Sequence, residues 1–203
     1  MKIKLHKNDL PKNINFGKSV AIDTEAMGLN HTRDRLCLVQ LSSGNGVCHL
    51  VQIQNIEIKP KNLIKLLKNK KILKIFHYAR FDIGILKHTF NINVENIYCT
   101  KIASKLTRTF TDKHGYKDLC KDLLNKEISK SQQTSDWGSN KLTLAQQKYA
   151  SIDVLYLHQI KDKLDKMLIR ENRVKLANAC FDFIKIRTDL DLSGWLEQDI
   201  FKH

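Results

Sequence analysis

The triplet Asp23-Thr24-Glu25 closes an apolar run, Ser19-Val20-Ala21-Ile22, and stands just ahead of Gly28. Residues i and i+2 of a β-strand point to one face, so the two carboxylates are pushed together, and a bound cation relieves the repulsion. A divalent metal is the chemistry this pairing implies, although a D-x-E on a solvated edge has the same spelling. Asp82 stands where a short apolar stretch, Lys74-Ile75-Phe76, gives way to a helical pattern opening near Arg80. An aspartate there commonly caps the helix or meets its dipole. A strand-to-helix junction is also where α/β sheets build their sites. Tyr149 and Asp153, four apart, lie one turn from each other on one helical face. Asp153 shares that face with Leu157, so its carboxylate looks inward among apolar groups, where a charge is tolerated only beside a metal or a strong partner. Tyr78 and Asp82 repeat the spacing, so the interval alone carries little.

The elements that must position these groups are legible in outline. Residues 19–23, 36–41 and 47–51 read as strands, and Ser43-Gly44-Asn45-Gly46 turns the last two into an antiparallel meander. After Pro60, helical spacing of Leu63, Ile64, Leu66 and Leu67 is followed by a strand over 72–76, a helix from about Arg80 and a further strand over 94–99. Helices are expected over 101–107 and 116–124, then a polar loop over 129–140 containing Gly138. Thr143 and Gln146 have the spacing of a capping box, and the helix they open is carried on by Leu157, Ile160, Leu164 and Leu168. A last helix over about 173–187 leads to a tail holding Leu192, Trp195, Leu196, Ile200 and Phe201, which must dock on its own domain or on another subunit. The pattern is α/β: three antiparallel strands, then alternating helices and strands, in a mixed sheet with helices on both faces.

The chain has 203 residues, the length of one domain with a continuous core. Its 35 basic and 21 acidic residues leave a net charge of +14. Such an excess favours a polyanionic partner through release of counterions, with a merely Lys-rich, solvated surface as the competing reading. No apolar run reaches the roughly 18 to 20 residues of a membrane span, and the first residues lack the apolar core of a secretory signal, so no membrane partner and a cytoplasmic location are expected. The five cysteines are scattered and odd in number, which reads as free thiols in a reducing compartment. They form no zinc-type set with the histidines, so any metal is expected on oxygen.

Taken together, Asp23, Glu25, Asp82 and Asp153, with Tyr149 four before the last, resemble the DEDD 3′-5′ exonucleases of the ribonuclease H-like fold. The tyrosine subclass fits, because the position where the other subclass carries histidine is Lys148. His77-Tyr78-Ala79-Arg80-Phe81-Asp82 and Tyr149-Ala150-Ser151-Ile152-Asp153 resemble ribonuclease D. Arg33-Asp34-Arg35-Leu36-Cys37, Cys99-Thr100-Lys101-Ile102-Ala103-Ser104-Lys105, Ser135-Asp136-Trp137, Val154-Leu155-Tyr156-Leu157-His158 and Leu190-Asp191-Leu192-Ser193-Gly194-Trp195 resemble the short ribonuclease D-like proteins called nano-RNase C, and the likeness runs over nearly the whole chain. Against full-length ribonuclease D, no residues remain for the accessory HRDC domains, and Tyr78 stands where asparagine is usual.

The resemblance implies a single exonuclease domain over 1–203 that uses two divalent cations, Mg²⁺ or Mn²⁺, to hydrolyse a phosphodiester. Asp23 would serve both ions, Glu25 and Asp153 the ion carrying the nucleophile, and Asp82 the second; Tyr149 would orient the attacking water. The implied substrate is a dinucleotide or very short RNA, with longer RNA, DNA, or a non-catalytic nucleic-acid-binding module as alternatives. Leu29 resembles the apolar wedge set against terminal bases, or is core. Arg80, Lys101, Lys105 and Arg108 hold a substrate 5′ phosphate or are ordinary surface charge. Trp137 stacks on a base or packs its loop down, and His77 contacts substrate or is a satisfied structural histidine. Assembly of a homo-oligomer, an octameric ring, is likewise implied.

Overall fold

In the computed structural model, which describes residues 1–128 and 135–202, six strands form one sheet. They are β1 (Lys2–Lys7), β2 (Ser19–Ala26), β3 (Leu36–Ser42), β4 (Val47–Gln52), β5 (Leu73–Phe76) and β6 (Ile97–Cys99), in the order β1-β4-β3-β2-β5-β6. The expected meander is β2-β3-β4, antiparallel throughout, and the two parallel additions β5 and β6 follow it across β2. Parallel neighbours need crossovers. α1 (Lys61–Leu67) lies between β4 and β5, and α2 (Ala79–Phe90) between β5 and β6. Every residue of β3 is buried, so both faces of the sheet are covered there.

β1 was not evident from the sequence. Lys2-Ile3-Lys4-Leu5-His6-Lys7 places charge between its two apolar residues and is largely exposed, as befits an edge strand, which here pairs parallel with β4. The strand expected over 94–99 contracts to β6, because Asn96 takes a left-handed conformation (φ 55°) just before it.

The remaining helices are α3 (Thr100–Thr107), α4 (Tyr116–Leu124), α5 (Leu144–Leu155), α6 (Leu157–Arg170) and α7 (Val174–Leu190), followed by a π-helical turn, Asp191–Trp195. The capping box forms as expected: Gln146 N donates to Thr143 Oγ1 at 3.2 Å and Thr143 N to Gln146 Oε1 at 2.9 Å. The single long helix expected beyond it does not form, because it breaks at Tyr156. The Tyr116 hydroxyl causes the break: it donates to Ile152 O at 2.6 Å and accepts from Tyr156 N at 3.2 Å, occupying the place of the direct backbone bond between those residues. α5 lies across β2, β3 and β4, which lays Asp153 over the strand that carries Asp23 and Glu25.

The tail is tied down through its backbone more than through its apolar side chains. Arg80 pairs with Asp191 in a bidentate bridge (2.7 and 2.8 Å) and donates to Leu196 O, while Arg187 donates to Trp195 O and Leu196 O. Ile200 and Phe201 remain largely exposed. No helix among the described residues is long and apolar enough to cross a membrane.

Candidate active site

The alternation of β2 sends Asp23 and Glu25 to one face, and α5 brings Asp153 to meet them: carboxylate oxygens of the three lie within 4.8 Å of one another. Each carboxyl is held above its ordinary range, chiefly by burial. Repulsion from Asp23 adds to the rise at Glu25 and at Asp153. Three partly desolvated acids at such spacing fit a hard divalent cation, which offsets the repulsion and takes oxygen donors. Gln40, opposite Asp23 in the β2–β3 register, donates its side-chain amide to Asp23 Oδ2 at 3.2 Å and fixes that carboxylate.

Asp82 stands slightly apart. It is buried in the first turns of α2, but it is no cap: its Oδ1 accepts from Thr24 Oγ1 at 2.6 Å. It lies outside the group of three, yet its charge helps raise Glu25, and burial followed by Asp23 raises Asp82 itself. Four acids therefore share one electrostatic environment, three of them in a tight cluster.

Tyr149, Leu29 and His77 line the same cleft as the three acids, a space of about 580 Å³. Burial, and then Asp153, Glu25 and Asp23, push the Tyr149 phenol upward, which leaves it suited to donate a hydrogen bond rather than to serve as a base. Leu29 is 83% exposed, which excludes the core reading. His77 is half-buried and its pKa is lowered to about 3, first by burial and then by Lys101, so the ring is neutral. Thr100 Oγ1 donates to Phe76 O at 3.1 Å and therefore accepts from His77 Nδ1–H at 2.9 Å, leaving Nε2 unprotonated.

The other expected substrate contacts are placed differently. Arg80 is engaged by Asp191 and the tail, and is a tether. Arg108 is 2% exposed; it bonds Lys113 O at 2.7 Å and pairs with Asp122, pinning the loop between α3 and α4. The two guanidiniums are taken by acids distant in sequence, Arg80 by the buried Asp191 after α7 and Arg108 by the exposed Asp122 of α4. Lys101 stands over the Tyr78 ring, 4.2 Å from its centroid, and Lys105 is exposed on the next turn of α3; neither lines the cleft. Trp137 borders the cleft but offers no open stacking face: it is 3% exposed and its ring lies against Tyr149, centroids 6.1 Å apart. Part of its expected loop, 129–134, lies outside the described residues.

Met27, Phe81, Tyr116 and Lys117 also line the cleft and were not singled out in the sequence. Lys117 is exposed and was one among 35 basic residues, with nothing to mark it. Gln40 and Thr24 were detectable in principle: Gln40 is a polar residue flanked by Val39 and Leu41 within a buried strand, and Thr24 lies between the two acids.

A family model described as a 3′-5′ exonuclease matches residues 6–169. Among curated proteins the chain is similar to ribonuclease D of Acidiphilium cryptum, with 33% identity over 156 residues, covering 76% of this chain and 39% of that one. It thus spans about two fifths of that relative's length. It is similar also to the solved structure of Brucella melitensis NrnC with bound Mg²⁺, at 51% identity, a TM-score of 0.94 and full coverage of both chains. The same protein bound to pGG gives 52% identity and a TM-score of 0.96, covering 100% of this chain and 99% of that one. Escherichia coli RNase D, at 21% identity and a TM-score of 0.75 over 89% of this chain and 48% of that one, shares the fold.

Proposed function

The chain belongs to the 3′-5′ exonuclease family, and from that premise we propose that it is a divalent-metal-dependent 3′-5′ exoribonuclease that hydrolyses dinucleotides or very short RNA to nucleoside 5′-monophosphates. The observation that carries this reading is the convergence of Asp23, Glu25 and Asp153 within 4.8 Å in a cleft that also holds Tyr149. In the reaction a water oxygen attacks phosphorus, the P–O3′ bond breaks, and the departing 3′ oxygen takes up a proton.

Two cations, Mg²⁺ or Mn²⁺, would be held by Asp23, Glu25 and Asp153, with Asp82 reaching the second; when bound they supply Lewis-acid stabilisation of charge developing on the phosphate. The chain's own groups do the rest. Gln40 keeps Asp23 oriented, Thr24 keeps Asp82 oriented, and Tyr149, backed by Trp137, holds the attacking water by a hydrogen bond. Leu29, projecting at the cleft, packs against the terminal bases, and His77 Nε2 offers an acceptor to a ribose hydroxyl. Lys117, which lines the cleft, would serve a 5′ phosphate, with Lys101 and Lys105 standing outside the cleft lining.

The size of the cleft supports a short substrate, because about 580 Å³ falls in the range of small-ligand sites rather than of long channels. The complex of Brucella melitensis NrnC with pGG, at 52% identity to this chain, supports the same class of substrate. A homo-oligomeric ring belongs to this reading, and exposed Leu176, Phe183, Ile186 and Phe201 are apolar surface that a second copy would cover. A single domain acting in the cytoplasm completes it.

Initial rates on 5′-labelled RNAs of increasing length, and on DNA, with Mg²⁺ or Mn²⁺ and with chelator, test the proposal. Rapid loss of the two-nucleotide RNA alone, abolished by chelator, is expected. A stepwise ladder from long RNA or DNA would move the substrate class to 3′-end trimming, and binding without cleavage would leave a nucleic-acid-binding module.

A further inference from the structure

The segment joining β2 to β3 is tied internally. Asn30 Oδ1 accepts from Thr32 N, Thr32 Oγ1 and Arg33 N at 3.0, 2.8 and 3.1 Å. Asp34 Oδ2 accepts from Asn30 N at 2.9 Å and lies where a Cβ on Gly28 would come within 2.2 Å. Leu29 projects from this small rigid unit into solvent at the cleft. A unit of this kind moves as a body, so the height of Leu29 depends on where the unit is fastened to the rest of the fold.

The fastening is at His31. Its side chain is buried, its ring lies 5.0 Å from that of Phe81, a cleft residue, and it enters a notch on α2 opened by Gly84. A Cβ on Gly84 would come within 2.8 Å of His31 Cε1 and 2.9 Å of Nε2. Glycine inside a helix is unfavourable, and here the space it leaves is filled by the imidazole. His31 Nε2 is buried with no hydrogen-bond partner, so at that atom the ring is held by shape. The notch lies two residues from Asp82, so the same helix carries an acid of the site and seats the Leu29 unit.

We propose that His31, seated in the Gly84 notch, is a positioning residue that sets the height of Leu29 over the cleft and so governs how tightly the two bases of a short substrate are gripped. The inference rests on the exoribonuclease reading of the cleft. It predicts an effect on substrate affinity and none on the bond-breaking step, because His31 touches neither the acids nor Tyr149.

The test compares KM and kcat for a dinucleotide with those for the p-nitrophenyl ester of thymidine 5′-monophosphate, which has one base and offers a wedge nothing to separate. His31→Ala is expected to raise the dinucleotide KM about tenfold with kcat within about twofold, and to leave hydrolysis of the aryl ester unchanged. His31→Phe, which refills the notch without the unpartnered nitrogen, is expected to restore the wild-type KM. Gly84→Ala should reproduce His31→Ala and carries the test if the latter does not fold, as thermal melting would reveal. Leu29→Ala should raise the same KM, with no further rise in the Leu29→Ala/His31→Ala double variant. A wild-type KM in folded His31→Ala, beside a raised KM in Leu29→Ala, overturns the inference and leaves the exoribonuclease reading standing. A fall in kcat on both substrates overturns it too, since His31 would then act on the acid cluster. Failure of the wild-type protein to cleave either substrate removes the underlying reading itself.

Discussion

Replacing Asp23 by asparagine is expected to lower turnover at least about a thousandfold, ~4 kcal/mol of barrier, while the cation-free protein melts no lower than the wild type. The two halves of that expectation have one cause. Asp23 is the acid whose charge reaches all the others: it contributes to the raised pKa of Glu25, Asp82 and Asp153. Without a cation that charge is repulsive, so its removal relieves strain. With a cation it would be the ligand the proposed reaction needs, and an amide oxygen would be a poor substitute. Asparagine keeps the shape and can still accept from Gln40, so the fold has little reason to respond. Rates and melting curves on the same preparation separate the outcomes. A variant that stays active would show that Asp23 is not a ligand, and one that melts much lower would show that its carboxylate stabilises the fold.

Tyr149→Phe is expected to lower kcat about a hundredfold with little change in KM, the magnitude of a lost proton-positioning contact. The phenol keeps its proton at neutral pH because burial and the three neighbouring acids all oppose its ionisation. On the proposed reading it would contribute a directed hydrogen bond and no general base. Phenylalanine retains the packing against Trp137, whose ring lies 6.1 Å away, so binding should persist. Steady-state kinetics on a dinucleotide check this. A rise in KM with kcat unchanged would make Tyr149 a binding group instead, and no change in either would remove it from the site.

The parts of the site that were legible in the sequence are those governed by local periodicity. The i, i+2 rule placed Asp23 and Glu25 on one face, the i, i+4 rule joined Tyr149 to Asp153, and the Thr143–Gln146 box marked the start of the helix that carries them. What could not be read depends on partners distant in the chain. The break at Tyr156 is made by a hydroxyl 40 residues away, so the unbroken apolar stripe from Leu157 onward gave no warning. Arg80 looked free because its partner, Asp191, lies 111 residues later. Arg108 and Trp137 carry side chains typical of nucleic-acid contacts, yet both are buried, and burial of a long side chain is decided by tertiary packing. The edge strand β1 escaped because an edge needs no continuous apolar face. Leu29 shows the opposite case: its exposure was open in the sequence and is settled by the tightly bonded loop beneath it.

The central claim is that acids from separate stretches of the chain meet to hold divalent cations where a phosphodiester is cut. Anomalous scattering at the manganese edge from a crystal soaked in Mn²⁺ tests it most directly. The expected result is density between the carboxylates of Asp23, Glu25 and Asp153, with Asp82 at its border. Manganese bound elsewhere, or these side chains turned away from one another around an empty centre, would contradict it.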